Sequence, residues 1–111
     1  GAEPTEFKGR VKCCGFPLLF IKESTANKMA GSLLHEAVEE GADLMVTACP
    51  LCHISFDTFQ SNAVKEIKKK FNIPILHLPQ VVGLALGIDK NMLGLSRHMV
   101  SVKDVLKKIE R

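Results

Sequence analysis

The run Leu44-Met45-Val46-Thr47-Ala48, together with the four residues after it, constrains this chain more than any other feature. The run is preceded by Asp43 and bounded by turns, the pattern of a strand buried on both faces. It leads without a linker into Cys49-Pro50-Leu51-Cys52. Proline is at home in the first turn of a helix, where its missing N–H would have had no partner. A strand over Asp43–Ala48 is therefore expected to run straight into a helix, with two cysteines at the junction. That order points to a parallel sheet, in which sites form at the carboxyl ends of strands.

The rest of the chain supports an α/β arrangement. Ala26, Met29, Ala30, Leu33, Leu34, Ala37 and Val38 recur at helical spacing, with Ser24 to cap the helix and Gly41 to end it. The helix after Cys49 is expected to turn Cys52, Phe56, Phe59, Ala63, Ile67 and Phe71 inward. Gly9 to Cys13 reads as a short extended segment, and Ile73 to Leu78 as a further strand. Pro79 opens a small helix through Gly87, with Gly83 and Gly87 for close packing. A last helix over Ser101 to Arg111 carries a Ser101/Asp104 capping pattern and an apolar face of Val102, Val105, Leu106 and Ile109. The expected fold is α/β: a small, mainly parallel sheet flanked by helices, with a metal site at the carboxyl ends of strands.

At 111 residues the chain makes one domain, residues 1–111, with 46% hydrophobic and 24% charged residues. The net charge of +3 comes partly from the run Lys65 to Lys70, a solvated helix face with no interleaved aromatics to suggest nucleic acid. The longest stretch without formal charge, Phe71 to Ile88, is interrupted by Pro74, His77, Pro79 and Gln80, so a membrane span is not expected. No signal or transit pattern opens the sequence, and the expected compartment is the cytoplasm. Gly1-Ala2-Glu3-Pro4 forms no element before the first cysteines, so the chain reads as the C-terminal part of a longer subunit.

Cys13, Cys14, Cys49 and Cys52 carry the chemistry. A C-x-x-C at a helix start lets two sulfurs face one point, where backbone N–H groups favour thiolate. Adjacent strand residues point apart, so Cys13 and Cys14 reach one centre only if the chain turns at Gly15, which is expected to take φ > 0. Four buried structural cysteines, a thioredoxin-like dithiol, and a haem on Cys49-Pro50-Leu51-Cys52-His53 compete with a metal site. The dithiol and haem readings leave the vicinal pair unexplained. Four thiolates suit zinc or iron–sulfur, and chemistry alone leaves both open.

Cys13-Cys14-Gly15-Phe16-Pro17-Leu18 and Cys49-Pro50-Leu51-Cys52-His53 resemble the cysteine-rich CCG domain of the heterodisulfide reductase B subunit, in its C-terminal copy. Pro17-Leu18-Leu19, Gly83-Leu84-Ala85-Leu86-Gly87 and Leu93-Gly94-Leu95-Ser96-Arg97-His98 extend the resemblance over nearly the whole chain. Related subunits of succinate dehydrogenases and of glycolate or lactate oxidation complexes share the domain. The resemblance implies that Cys13, Cys14, Cys49 and Cys52 bind a non-cubane [4Fe–4S] cluster at which a disulfide is reductively cleaved. It also implies electrons arriving from iron–sulfur and flavin subunits, and a fifth, upstream cysteine before the point where this sequence begins. No side-chain acid or base is assigned. The alternative is a zinc-binding structural or assembly module; the isolated domain is expected to be inactive and, made aerobically, to hold zinc or form disulfides.

Among the histidines, His35 is expected at the surface and His77 in the core with a hydrogen bond. His53, one residue after Cys52, is a candidate to sit beside the cluster. Arg97-His98 reads as a surface loop pair.

Overall fold

The computed structural model describes residues 2–109. Helix α1 (Glu23–Glu39) forms on the expected stripe: Ala26, Ala30, Leu33, Leu34 and Ala37 are buried along it, while Met29 and Val38 are half-buried. Gly41 ends it at φ 82°. Ser24 does not cap it. Lys22 holds the N-cap position without a side-chain bond, and Ser24 Oγ donates to Glu66 Oε1 at 2.7 Å, a bond between distant parts of the chain.

Strand β1 (Met45–Thr47) pairs in parallel with β2 (Ile75–His77), with Met45 opposite Ile75 and Thr47 opposite His77. Both strands are shorter than expected. The expectation of burial on both faces fails at Val46, which is 41% exposed although Leu76 opposite it is fully buried.

The segment between the strands is broken, not one helix. Helix α2 (Pro50–His53) gives way to a π-helical turn, Ile54–Thr58, and then to α3 (Gln60–Glu66). The turn closes with Phe59 N–H donating to the Ile54 carbonyl at 3.2 Å, one residue wider than an α-turn. Gln60, only 2% exposed, takes the inward place expected of Phe59, which is half-buried. Phe71 lies beyond α3 and packs against the core from a loop.

Gln60 organises the approach to β2. Its Nε2 donates to the carbonyls of Phe56 at 2.8 Å and Ile73 at 2.9 Å, and its Oε1 accepts the Ile73 N–H at 2.9 Å. A side-chain amide thus gives Ile73 the two bonds that a neighbouring strand would otherwise supply.

Helix α4 (Leu78–Ala85) starts directly after β2, with Pro79 in its first turn and a capping box between His77 and Gln80. Gly83 packs as expected: a Cβ there would meet Leu93 Cδ2 at 2.7 Å. Gly87 does not. It has open space around it and ends the helix at φ 81°. Helix α5 (Lys103–Ile109) begins after Ser101, whose Oγ accepts the Lys103 N–H at 3.3 Å. Val102 and Val105 are buried and Leu106 is half-buried, but Ile109 is 49% exposed. The expected continuation to Arg111 lies outside the described residues.

The segment Gly9 to Cys13 is not extended. Lys8–Val11 form a 3₁₀ turn that presses Gly9 onto α1, where its N–H donates to Glu36 Oε1 at 2.8 Å.

The sheet therefore separates two apolar layers. Met45, Ile73 and Ile75 pack with Cys14, Leu34, Phe56 and Ala63 on one side, and Leu76 packs with Leu95 and Val102 on the other. A two-stranded sheet has little stability alone, and helices on both faces hold it. The fold is α/β with a small parallel sheet flanked by helices. No helix among the described residues is long and apolar enough to cross a membrane.

Candidate functional site

Cys13 and Cys14 sit in a turn, not at the end of a strand as expected, because the segment before them is the 3₁₀ turn. Gly15 has φ 88°, the positive value the vicinal pair requires. The turn divides the pair: Cys13 is exposed and Cys14 is buried in the core between α1 and the sheet. Each sulfur accepts a backbone N–H two residues on, Gly15 N–H to Cys13 Sγ and Phe16 N–H to Cys14 Sγ, both at 3.4 Å. Ser55 Oγ donates to the Cys14 carbonyl at 3.5 Å, joining this turn to the π-turn.

Cys49 does follow a strand. It is the N-cap of α2, in extended conformation, and its thiol is exposed. No side-chain hydrogen bond caps the helix here, but the backbone N–H groups of Cys52 and Leu51 at the start of α2 hold its pKa below the ordinary thiol value of 9.0. Cys52 is half-buried and goes the other way, pushed up to about 12 by burial, then by Cys14 and Cys49 beside it. Cys14, from the vicinal pair, and Cys49, from the strand–helix junction, each stand close enough to Cys52 to act on it. Cys13 is not among the thiols that act on Cys52.

This contrast has a direct chemical consequence. In metal-free protein at neutral pH, Cys49 is expected to alkylate faster than an unstructured cysteine. Cys52 is expected to react on the order of a hundredfold more slowly than Cys49, since only the thiolate attacks. Mass-spectrometric timing of iodoacetamide labelling reads both. Equal rates at the two positions would show that the α2 N–H groups do not reach Cys49.

A second polar group lies buried beside the first. The His53 ring stacks on His77 at 3.7 Å between centroids and meets His98 edge-on at 4.8 Å. Asp57, 4% exposed, accepts the Met99 N–H on Oδ2 and the Val100 N–H on Oδ1, each at 2.9 Å. Burial lowers the pKa of His53, as do the charges of His77 and His98, against the raising effect of Asp57. His98 is also lowered, first by burial, with Asp57 opposing.

The histidine readings divide accordingly. His77 is partly buried and hydrogen-bonded as the N-cap of α4. His35 is not fully exposed: its side chain is 26% exposed and its ring lies 5.9 Å from that of Phe71. Arg97 is exposed, but His98 is not a surface residue; its side chain is 3% exposed, held inward between Gln80 and Asp57. Sequence reasoning missed Asp57, Gln60 and the inward turn of His98. The spacing of His53 and Asp57, four apart on one helical face, was the signal available for the first.

The HdrB-like C-terminal domain model matches residues 16–99, a span that includes Cys49 and Cys52 and starts just after Gly15. The chain belongs to this family. Its relatives fall into more than one kind of complex. The HdrB-like domain is 42% identical to the 8-methylmenaquinol:fumarate reductase membrane anchor subunit of Wolinella succinogenes, over 90% of this chain and 35% of that protein. It is 31% identical to the B subunit of the ferredoxin:CoB-CoM heterodisulfide reductase of Methanosarcina mazei, over 98% of this chain and 37% of that protein. A protein of Archaeoglobus profundus described as like the heterodisulfide reductase B subunit is 38% identical, over 80% of this chain and 30% of its own. This HdrB-like chain thus spans about a third of the length of the curated relatives it matches.

Proposed function

We propose that Cys13, Cys14, Cys49 and Cys52 hold an iron–sulfur cluster and that the chain is the electron-carrying domain of a multi-subunit reductase. The observation that carries this reading is the set of backbone N–H groups aimed at sulfur. Gly15 N–H bonds to Cys13 Sγ and Phe16 N–H to Cys14 Sγ, while the N–H groups of Cys52 and Leu51 hold the Cys49 thiol pKa low without a cap hydrogen bond. Donors so placed stabilise thiolate charge and tune cluster potential. The fourth thiol, Cys52, is crowded by two others in a half-buried place, where a bound cation relieves their mutual repulsion. The donor set fits a thiolate-bound cluster, and zinc is the other ion it suits.

The resemblance to heterodisulfide reductase makes a non-cubane [4Fe–4S] cluster the specific form proposed. When bound, such a cluster supplies electron transfer and an iron able to take up sulfur. The chain's own part is to fix the sulfurs: the Gly15 turn presents Cys13 outward and Cys14 inward, and Cys14 with Phe56 keeps water from the inner side. The proposed partners are iron–sulfur and flavin subunits, and the proposed compartment is the cytoplasm.

Two whole-complex activities follow from the relatives, reductive cleavage of a disulfide and electron relay in a fumarate-reductase-type complex. The 42% identity to the Wolinella succinogenes protein favours the second of these activities.

Anaerobic reconstitution with iron and sulfide tests the cluster. The unaltered chain is expected to turn brown and to bind iron and acid-labile sulfide. Cys14→Ser and Cys52→Ser are each expected to lose most of that iron while keeping their far-UV helix signal. A colourless chain holding a single zinc ion, or iron content unaffected by both substitutions, would sink the reading. Mixing the chemically reduced, reconstituted chain with a small disulfide separates the two activities: a disulfide-cleaving site is expected to pass two electrons, with two protons, to each disulfide and release two thiols, whereas a relay site leaves the disulfide intact.

A further inference from the structure

Among the described residues, His53, Asp57 and His98 place three ligand-type donor atoms within 4.8 Å of one another in a buried position. His53 Nε2 is 3.5 Å from Asp57 Oδ2, and His98 Nδ1 is 3.9 Å from the same oxygen. Both separations are too long for a good N–H···O hydrogen bond. Nitrogen and oxygen ligands about 2.0–2.2 Å from zinc stand roughly 3.3–3.5 Å apart at the tetrahedral angle, so the His53 separation already matches an edge of such a shell and His98 would have to close in by about 0.4 Å.

Hydrogen bonding makes the same case without reference to those distances. The Gln80 carboxamide is fixed at both ends, its Nε2 donating to the Leu93 carbonyl at 2.8 Å and its Oε1 accepting the His77 N–H at 2.9 Å. His98 Nε2 lies 3.0 Å from that Oε1 and so must be the ring nitrogen that carries hydrogen. In the neutral ring, Nδ1 then presents a bare lone pair. That atom is fully buried, has no hydrogen-bond partner, and faces the Asp57 carboxylate. Lone pair against carboxylate in a buried place is repulsive, and a cation between them removes the repulsion. The bond from His98 Nε2 to Gln80 is the outer contact that orients a metal-bound imidazole, and the two backbone bonds to Asp57 orient the carboxylate.

We propose that His53, Asp57 and His98 form a mononuclear site for a divalent transition-metal ion, zinc or ferrous iron, separate from the cysteine site. Two imidazoles and one carboxylate suit these ions, whereas magnesium and calcium prefer all-oxygen shells. The ion clips the π-turn to the segment at residues 98–100, and so holds His53, next to Cys52, against the rest of the fold. Gln80 is the positioning residue, acting through His98.

The test removes the thiolates first, so that it stands apart from the fate of the iron–sulfur reading. A chain with all four cysteines replaced by serine is loaded with zinc or cobalt and desalted. It is expected to keep one ion per chain and, with cobalt, to show ligand-field bands without thiolate charge transfer. Adding Asp57→Asn or His98→Gln is expected to abolish retention, and Gln80→Ala to weaken affinity roughly 10–100-fold while changing the cobalt spectrum. If the serine variant does not keep its helix signal, X-ray absorption on the unaltered chain loaded with two zinc ions per chain replaces it, with a mixed sulfur and nitrogen/oxygen shell expected. A folded serine variant that binds no metal, a zinc shell of sulfur alone, or His98 titrating as an imidazolium without any ion would overturn the proposal.

Discussion

Replacing Gln60 with leucine is expected to lower the unfolding free energy by about 3–5 kcal/mol. Leucine has nearly the volume of glutamine, so no large cavity opens and the cost is polar. Ile73 loses the partners of both its N–H and its carbonyl, and Phe56 loses a donor to its carbonyl, all in buried surroundings. Each buried group left without a partner costs about 1–3 kcal/mol. The apolar gain of the leucine side chain offsets part of that, about 1–2 kcal/mol. Urea titration reads the result as a fall in midpoint at unchanged slope. A loss under about 1 kcal/mol would mean that water reaches Ile73 and that the amide does not anchor the approach to β2.

Gly31→Val is expected to cost about 3 kcal/mol, through collision of α1 with α3. A Cβ at position 31 would stand 2.6 Å from the Ala63 carbonyl oxygen and 3.0 Å from Ile67 Cγ2. The first contact is with backbone, which cannot rotate away, so the two helices must separate. Even Gly31→Ala is expected to destabilise, although alanine gains about 1 kcal/mol in helix propensity at a mid-helix position. Thermal melts of both variants decide the matter. A raised melting temperature for the alanine variant would falsify the close approach of α1 to α3.

Much of this fold is legible in the sequence because its signals are local. The α1 stripe, the strand running into Cys49-Pro50 and the helix after Pro79 each follow from periodicity or from proline chemistry, and the structure has all three. The positive φ of Gly15 follows from the needs of a vicinal cysteine pair. What was not legible depends on contacts between distant residues. The π-turn hides inside an ordinary helical pattern, because Phe56, Gln60 and Ala63 also fit an α-helical spacing. Gly9 looks extended until Glu36 is known to stand beside it. His98 looks like a loop histidine until Gln80 and Asp57 take hold of it from other elements. Within the cysteine site, the pairing of Cys49 with Cys52 was visible from spacing. The unequal placing of Cys13 and Cys14, one exposed and one buried, emerges only from the turn itself.

The bonds from Met99 and Val100 to the Asp57 carboxylate bear on how fast this chain reaches its native state. They join residues 42 and 43 positions apart, and they close a loop that already contains the whole of β2 and α4. The entropy of bringing such distant points together is spent before the contact returns any stability. Helix α1 can form early from its own neighbours, whereas the parallel strand pair and this clasp must wait for long-range search. Residues 98–100 and the strand pair are therefore expected to lock after α1, which would appear as low φ-values for substitutions at Asp57.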